Sequence, residues 1–166
     1  MGKVLKSFSN GVAGAISRSV DDIVISVKNA GETDIPFGAP VFLTTGGAVR
    51  FNTANPQDFD AFLGFAVRIA DKTPDSYPQD QAGTPQAGSW KPGDVMEVLV
   101  RGGIAVPISS SGRQGGKVYI RKSDGGLTAD AGQSGTTVLL ENVRIRNPQS
   151  FGGNVAEVIV NSRNII

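Results

Sequence analysis

The sequence predicts an all-β protein, an antiparallel β-sandwich or barrel of short strands with an extended N-terminal arm. Three observations lead there. Short apolar runs alternate with polar residues, glycine-bearing turns separate the runs, and no window of eleven residues shows the i, i+3, i+4, i+7 spacing of a helix. Twenty-two glycines and nine prolines in 166 residues suit a chain that reverses direction often.

In chain order, residues 1–20 scatter Phe8, Val12 and Ile16 among small and polar residues, too thin an apolar set to bury alone. They read as the arm, and residues 21–166 as the β-rich domain. Ile23, Ile25 and Val27 alternate with Asp22, Ser26 and Lys28, the period of a half-buried strand. Residues 41–43 and 49–51 flank Thr44-Thr45-Gly46-Gly47, a tight hairpin. Residues 62–69 form a longer apolar strand. The stretch 73–92, TPDSYPQDQAGTPQAGSWKP, is a long loop of the kind that tends to be functional or disordered. Residues 95–100 and 104–108 meet at Arg101-Gly102-Gly103, where two glycines suit a hairpin turn. Another hairpin runs from 117–122 through Asp124-Gly125-Gly126 to Leu127-Thr128, and strands at 138–145 and 155–160 complete the set.

Part of the chain repeats. Val41-Phe42-Leu43 followed by Gly46-Gly47 matches Val118-Tyr119-Ile120 followed by Gly125-Gly126, and Val67-Arg68-Ile69 matches Val143-Arg144-Ile145. Two readings stand side by side: two similar β-modules, at 21–72 and 93–166 joined by the 73–92 loop, or hairpin chemistry reused by any β-protein.

Composition narrows the chemistry. The chain has no cysteine and no histidine, which removes disulfides, cysteine nucleophiles, thiolate metal sites and serine–histidine–aspartate triads. Sixteen basic and fifteen acidic residues give a net charge of +1, without the concentrated basic face that nucleic acid requires. No run of 18 apolar residues is present to cross a membrane, and residues 1–17 lack the apolar centre of a secretory signal.

Few candidates for chemistry remain. Gly115-Gly116-Lys117 lacks the earlier glycine and the following Ser/Thr of a phosphate loop: Ser111 and Val118 stand there, and a strand follows. Asp58 and Asp60 could share one strand face as paired acids or hard-metal ligands, but they follow a turn-rich segment where aspartate commonly accepts local backbone bonds. Asp21-Asp22, Asp71 and Asp75 read as strand ends and turns. Ser89 and Lys91 lack the desolvation that a serine–lysine dyad needs. Trp90 and Tyr77 in the loop could anchor a partner, stack a sugar, or fold back as a lid on the core. No catalytic, cofactor or metal site is therefore expected, and the chain suits contact better than turnover.

The order of segments resembles the structural cement, or head decoration, proteins of tailed bacteriophages. The likeness rests on Ala15-Ile16-Ser17-Arg18-Ser19 before an acidic pair, PFGAPVFL at 36–43, FLGFAVRIADKT at 62–73 and Trp90-Lys91-Pro92-Gly93-Asp94. It continues through VLVRGGIAVPI at 98–108, GGKVYIRKSDGGLT at 115–128 and NVAEVIVNSRN at 154–164. It covers nearly the whole chain from residue 15. The resemblance implies a β-rich, non-enzymatic protein, made in the host cytoplasm, that binds the exterior of a shell of major capsid protein as an oligomer, with no cofactor. We expect a homotrimer, with no nucleic-acid or membrane partner. The expected partner contacts are Phe8, Ile16 and Arg18 on the arm, Tyr77 and Trp90 on the loop, and Arg101 at a strand end. The rival readings are a β-sandwich binding module, sugar-binding or tail-associated, and a hydrolase working with carboxylates alone.

Overall fold

The computed structural model describes residues 11–17, 21–51, 62–69, 88–110, 112–148 and 154–161. Among them there is no helix. Eleven strands run in the order β1 (Ile23–Lys28), β2 (Ile35–Pro36), β3 (Pro40–Thr44), β4 (Gly47–Arg50), β5 (Phe62–Ala66), β6 (Ser89–Trp90), β7 (Val95–Pro107), β8 (Lys117–Arg121), β9 (Leu127–Thr128), β10 (Thr137–Asn147) and β11 (Val155–Val160). Nine of them form one curled antiparallel sheet, ordered β4-β3-β5-β7-β11-β10-β8-β9 with β1 also on β7; β2 and β6 pair separately. The all-β class and the hairpins at 44–47 and 121–127 are as the sequence predicts.

One predicted hairpin is absent. Residues 95–107 form a single thirteen-residue strand, β7, rather than two strands turning at Gly102-Gly103. Only Gly102 has positive φ, at 117°. Both glycines instead admit the neighbouring chain. A Cβ on Gly102 would lie 1.9 Å from Asp22 Oδ1, and one on Gly103 would lie 2.4 Å from Ser17 Oγ. Glycine inside a strand pattern marks a bulge or a close backbone approach as readily as a turn.

β7 is the strand on which the molecule is built. Its first half pairs with β1 on one side and β5 on the other, so that Leu99 faces both Val24 and Phe65. Its second half pairs with β11, and Ile104 faces both Val158 and Ile16.

The registers show the same five-stranded pattern twice. In the first unit, Ile25 pairs Val98, Val98 pairs Ala66, Val41 pairs Gly64, and Leu43 pairs Ala48. In the second, Ile104 pairs Val158, Val158 pairs Ile145, Val118 pairs Leu140, and Ile120 pairs Leu127. Each unit then curls until its first strand meets its hairpin through a parallel bridge, Asn29 to Ala48 in one and Ile108 to Leu127 in the other. VMEVLV at 95–100 answers VAEVIV at 155–160. β7 therefore serves as the last strand of the first unit and the first strand of the second, and the division falls inside β7 rather than across the 73–92 loop.

The apolar residues follow this duplication. Val41, Ala48, Leu63, Ala66, Met96, Val98 and Val100 fill the first unit, where Ile35, Phe37 and Trp90 join them. Val118, Ile120, Leu127, Val143, Ile145, Val158 and Val160 fill the second. Phe42, Phe62, Phe65 and Leu99, on the other face of the first unit, belong to the second cluster as well, so one continuous core joins the two units.

Candidate functional site

The residue types that carry chemistry are engaged in local structure. Among the described residues, no three Asp, Glu, His or Cys side chains gather as a metal site would require. The N–H groups that a phosphate would need at Gly115 and Gly116 donate to the carbonyls of Ile145 and Arg113, at 2.7 and 2.8 Å. Ser89 and Lys91 both hold Asp34. The Lys91 ammonium first, and then the Ser89 hydroxyl, hold the Asp34 carboxyl below its ordinary range. Asp58, Asp60, Asp71 and Asp75 lie outside the described residues.

Of the expected partner contacts, Phe8, Arg18 and Tyr77 also lie outside them. Trp90 is core: it is 2% exposed, its indole N–H donates to the Val67 carbonyl at 2.9 Å, and its ring meets Phe37 edge-on. The lid role holds for it, which leaves no indole face on the surface for a partner or a sugar. A buried indole needs such an acceptor, and Val67 at the end of β5 supplies it.

Ile16 and Arg101 do reach the surface. Among the described residues, the exposed large apolar side chains are Ile16, Ile23, Val24 and Val95, on β1, β7 or the segment bridged to Ile104. Val95 is 67% exposed. Across the β1–β7 pair, Ile23 stands beside Arg101, Val24 beside Leu99, Ser26 beside Glu97, and Lys28 beside Val95. Leu99 alone of these is fully buried. The outer face thus mixes aliphatic and polar groups: Ile23 and Val24 beside an Arg101–Asp21 ion pair at 3.4 Å, then Ser26 and Glu97, then Lys28 and Val95.

The arm is better tied down than its composition suggests. Gly14 N–H donates to the Ala105 carbonyl, Ala105 N–H to the Ala15 carbonyl, and Ser17 N–H to the Gly103 carbonyl, all within 2.9 Å. Arg68 N–H donates to the Gly14 carbonyl on the other side. Residues 14–17 therefore act as a short strand on the free edge of the second half of β7. Backbone bonds of this kind leave no trace in side-chain hydrophobicity.

Asn29 is a residue that the sequence reading passed over. It is 1% exposed, its Nδ2 donates to the carbonyls of Thr33 and Trp90, and its Oδ1 accepts from Gly31 N–H. It ties the end of β1 to β6. The Asn-Ala-Gly order was its signal, since asparagine bonding two residues ahead makes an Asx turn.

A family model for the structural cement protein (E217 gp24/Pam3 gp6) matches residues 3–161. The chain belongs to that phage family. A solved chain from the capsid of Myoviridae phage XM1 shares the fold, with a TM-score of 0.70 over 96% of each chain at 18% identity. No curated protein matches. This cement protein is accordingly a structural component with a role in the phage capsid.

Proposed function

We propose that this cement protein binds the exterior of an assembled shell of major capsid protein and stabilises the head without catalysing a reaction. The observation that carries the reading is the family match over residues 3–161, and the exposed aliphatic side chains Ile23, Val24 and Val95 along the β1–β7 pair are where the contact is proposed. Binding to the assembled shell but not to free subunits stabilises the shell by mass action. Repetition over many equivalent sites multiplies a modest contact. The protein acts as a homo-oligomer at its place on the virion exterior, after synthesis in the host cytoplasm.

The test is co-sedimentation with undecorated shells, followed by thermal release of their DNA or subunits. Added protein should pellet with the shells and raise their disruption temperature. Val95→Glu and Val24→Asp, both on exposed strand positions, should fold normally and lose most of that effect. Full attachment by both variants would place the contact elsewhere.

A further inference from the structure

Where the two units meet, the surface opens into a cleft of about 280 Å³. Its walls come from residues 36–40 and Arg50 of the first unit, and from residues 107–109, Arg121 and the turn at Gly125–Leu127 of the second. Pro36, Pro40 and Pro107 stand around it, over the buried Phe37, Ile108 and Leu127. The Ser109 hydroxyl is already engaged, donating to the Leu127 carbonyl at 3.1 Å. Sites for cofactors and small molecules run to about 300–1,000 Å³, so this one has room for a side chain or two instead. Its walls are apolar, and its charge comes from the two arginines.

Arg121 is held in place. Its Nε and Nη2 donate to Asp124 Oδ1 and Oδ2 at 3.0 and 2.6 Å. A Cβ on Gly126 would lie 2.4 Å from Arg121 Nη2, so the guanidinium rests against a residue that has no side chain to displace it. Asp124 neutralises Arg121 but leaves over the N–H groups of Nη1. Arg50 is different. It is exposed on β4 opposite Val41, and among the described residues its guanidinium has no ion-pair or hydrogen-bond partner. The brace to Asp124 accounts for Arg121, and nothing in the described chain answers Arg50. The cleft therefore joins an apolar floor to one uncompensated positive charge.

We propose that this cleft takes an acidic side chain and its aliphatic neighbour from the shell protein. The carboxylate pairs with Arg50 and with the N–H groups that Asp124 leaves on Arg121, since guanidinium donors match two carboxylate oxygens. The aliphatic side chain lies on the proline wall. Charge selects the carboxylate, and size selects a side chain over a cofactor. The inference rests on the proposed function in taking the partner to be the shell, and it adds a second contact to the β1–β7 face. Val95 and Pro107 are the two ends of β7, and at about 3.3 Å per residue a strand of thirteen residues spans up to about 40 Å. Two separated contacts on one molecule reinforce each other, which suits a protein that must hold two places on a shell at once.

The experiment uses two peptides of the same shape, N-acetyl-Leu-Asp-amide and N-acetyl-Leu-Asn-amide. Each is titrated into isotope-labelled protein while the amide shifts of Arg50, Ser109, Gly125 and Gly126 are followed. The aspartyl peptide should bind in the millimolar range expected of so small a ligand, and about tenfold tighter than the asparaginyl one. Arg50→Gln should remove that preference and hold the thermal midpoint within a few degrees, because the side chain is exposed and unpaired. In co-sedimentation, Arg50→Glu should attach to undecorated shells about tenfold more weakly than the wild type, and Arg50→Gln carries the same readout should Arg50→Glu fail to fold. Equal affinity for the two peptides, or a preference that survives in Arg50→Gln, overturns the proposal. So does a folded Arg50 variant that pellets with shells as well as the wild type. If the wild type itself does not pellet, the cement reading fails, and the peptide titration alone decides the cleft.

Discussion

The two five-stranded units share a register but use their faces differently. Phe42, Phe62, Phe65 and Leu99 line the outer face of the first unit and are buried in the joint core. Their register equivalents in the second unit are Tyr119, Leu139, Arg144 and Ile159, all only half-buried. The same backbone plan therefore carries an aromatic seam where the units meet and an amphipathic surface where they do not. Edges show the converse. The second unit has its edge filled by residues 14–17, and among the described residues no strand pairs with the outer edge of Val24–Ser26 in the first. A repeated fold fixes where strands can pair, and the differences between the copies decide how each of those places is used.

The largest effect should come from the shared strand. Val98 and its equivalent Val158 are fully buried, and an aspartate at either would be an unpaired buried carboxylate. That costs several kcal/mol against a total of about 5–15. Because β7 belongs to both units, Val98→Asp should abolish both together, and denaturation followed by near-ultraviolet and far-ultraviolet dichroism should show one lost transition. A surviving second unit would mean the units fold separately.

Trp90 has no counterpart in the second unit, where residues 146–154 make the connection that residues 67–94 make in the first. Trp90→Ala should destabilise by about 3–5 kcal/mol through the emptied site. The change also leaves the Val67 carbonyl without its indole donor. The thermal midpoint and the denaturant midpoint should fall together.

Removing residues 1–17 breaks the four backbone bonds that hold residues 14–17. At about 0.5–1.5 kcal/mol each, the loss is about 2–6 kcal/mol. Chemical denaturation of the truncated protein reads it. The composition of residues 1–20 alone predicts almost no loss, so this variant separates backbone pairing from side-chain burial.

The smallest effect is acidic. Asp124 sits with its carboxyl below its ordinary value, first because Arg121 donates to it and then because the Gly126 N–H does. Asp34 is lowered in the same direction by Lys91 and Ser89. A carboxyl lowered by folding contributes fully above its unfolded value and loses that contribution as pH falls through the folded one. For the Arg121–Asp124 pair on the surface, the contribution is at most about 1 kcal/mol. Asp124→Asn should remove that contribution, read as a small fall in the midpoint near neutrality that disappears as pH falls through the folded value of Asp124.

Strand existence was legible in the sequence because each strand alternates or carries a buried run, and β11 (Val155–Val160) coincides with its predicted limits. The 41–51 and 117–128 hairpins were legible because their glycines stand at tight reversals. β7 was not, because Gly102 and Gly103 satisfy a turn pattern and a close-approach pattern equally well, and only the position of Asp22 and Ser17 distinguishes them. The repeat showed at 41 and 118, where both copies keep a valine before an aromatic residue. Three further residues in β10, between Leu140 and Arg144, shift the later register and conceal the rest. Of the candidate contacts, Ile16 and Arg101 reach the surface. Trp90 misled because loop composition surrounds it, although its ring packs inward and pairs through β6 with Ile35. The difference between the two edges had no side-chain signal at all, since it lies in backbone groups.

Amide hydrogen exchange at two equivalent positions tests the whole account. Registers equate Ala105 of the second unit with Ser26 of the first. In the isolated protein, Ala105 N–H should exchange slowly, held by the Ala15 carbonyl, while Ser26 N–H should exchange at nearly the rate of an unstructured chain. A Ser26 amide as slow as that of Ala105 would contradict the claim that the two units share a register and differ at this edge.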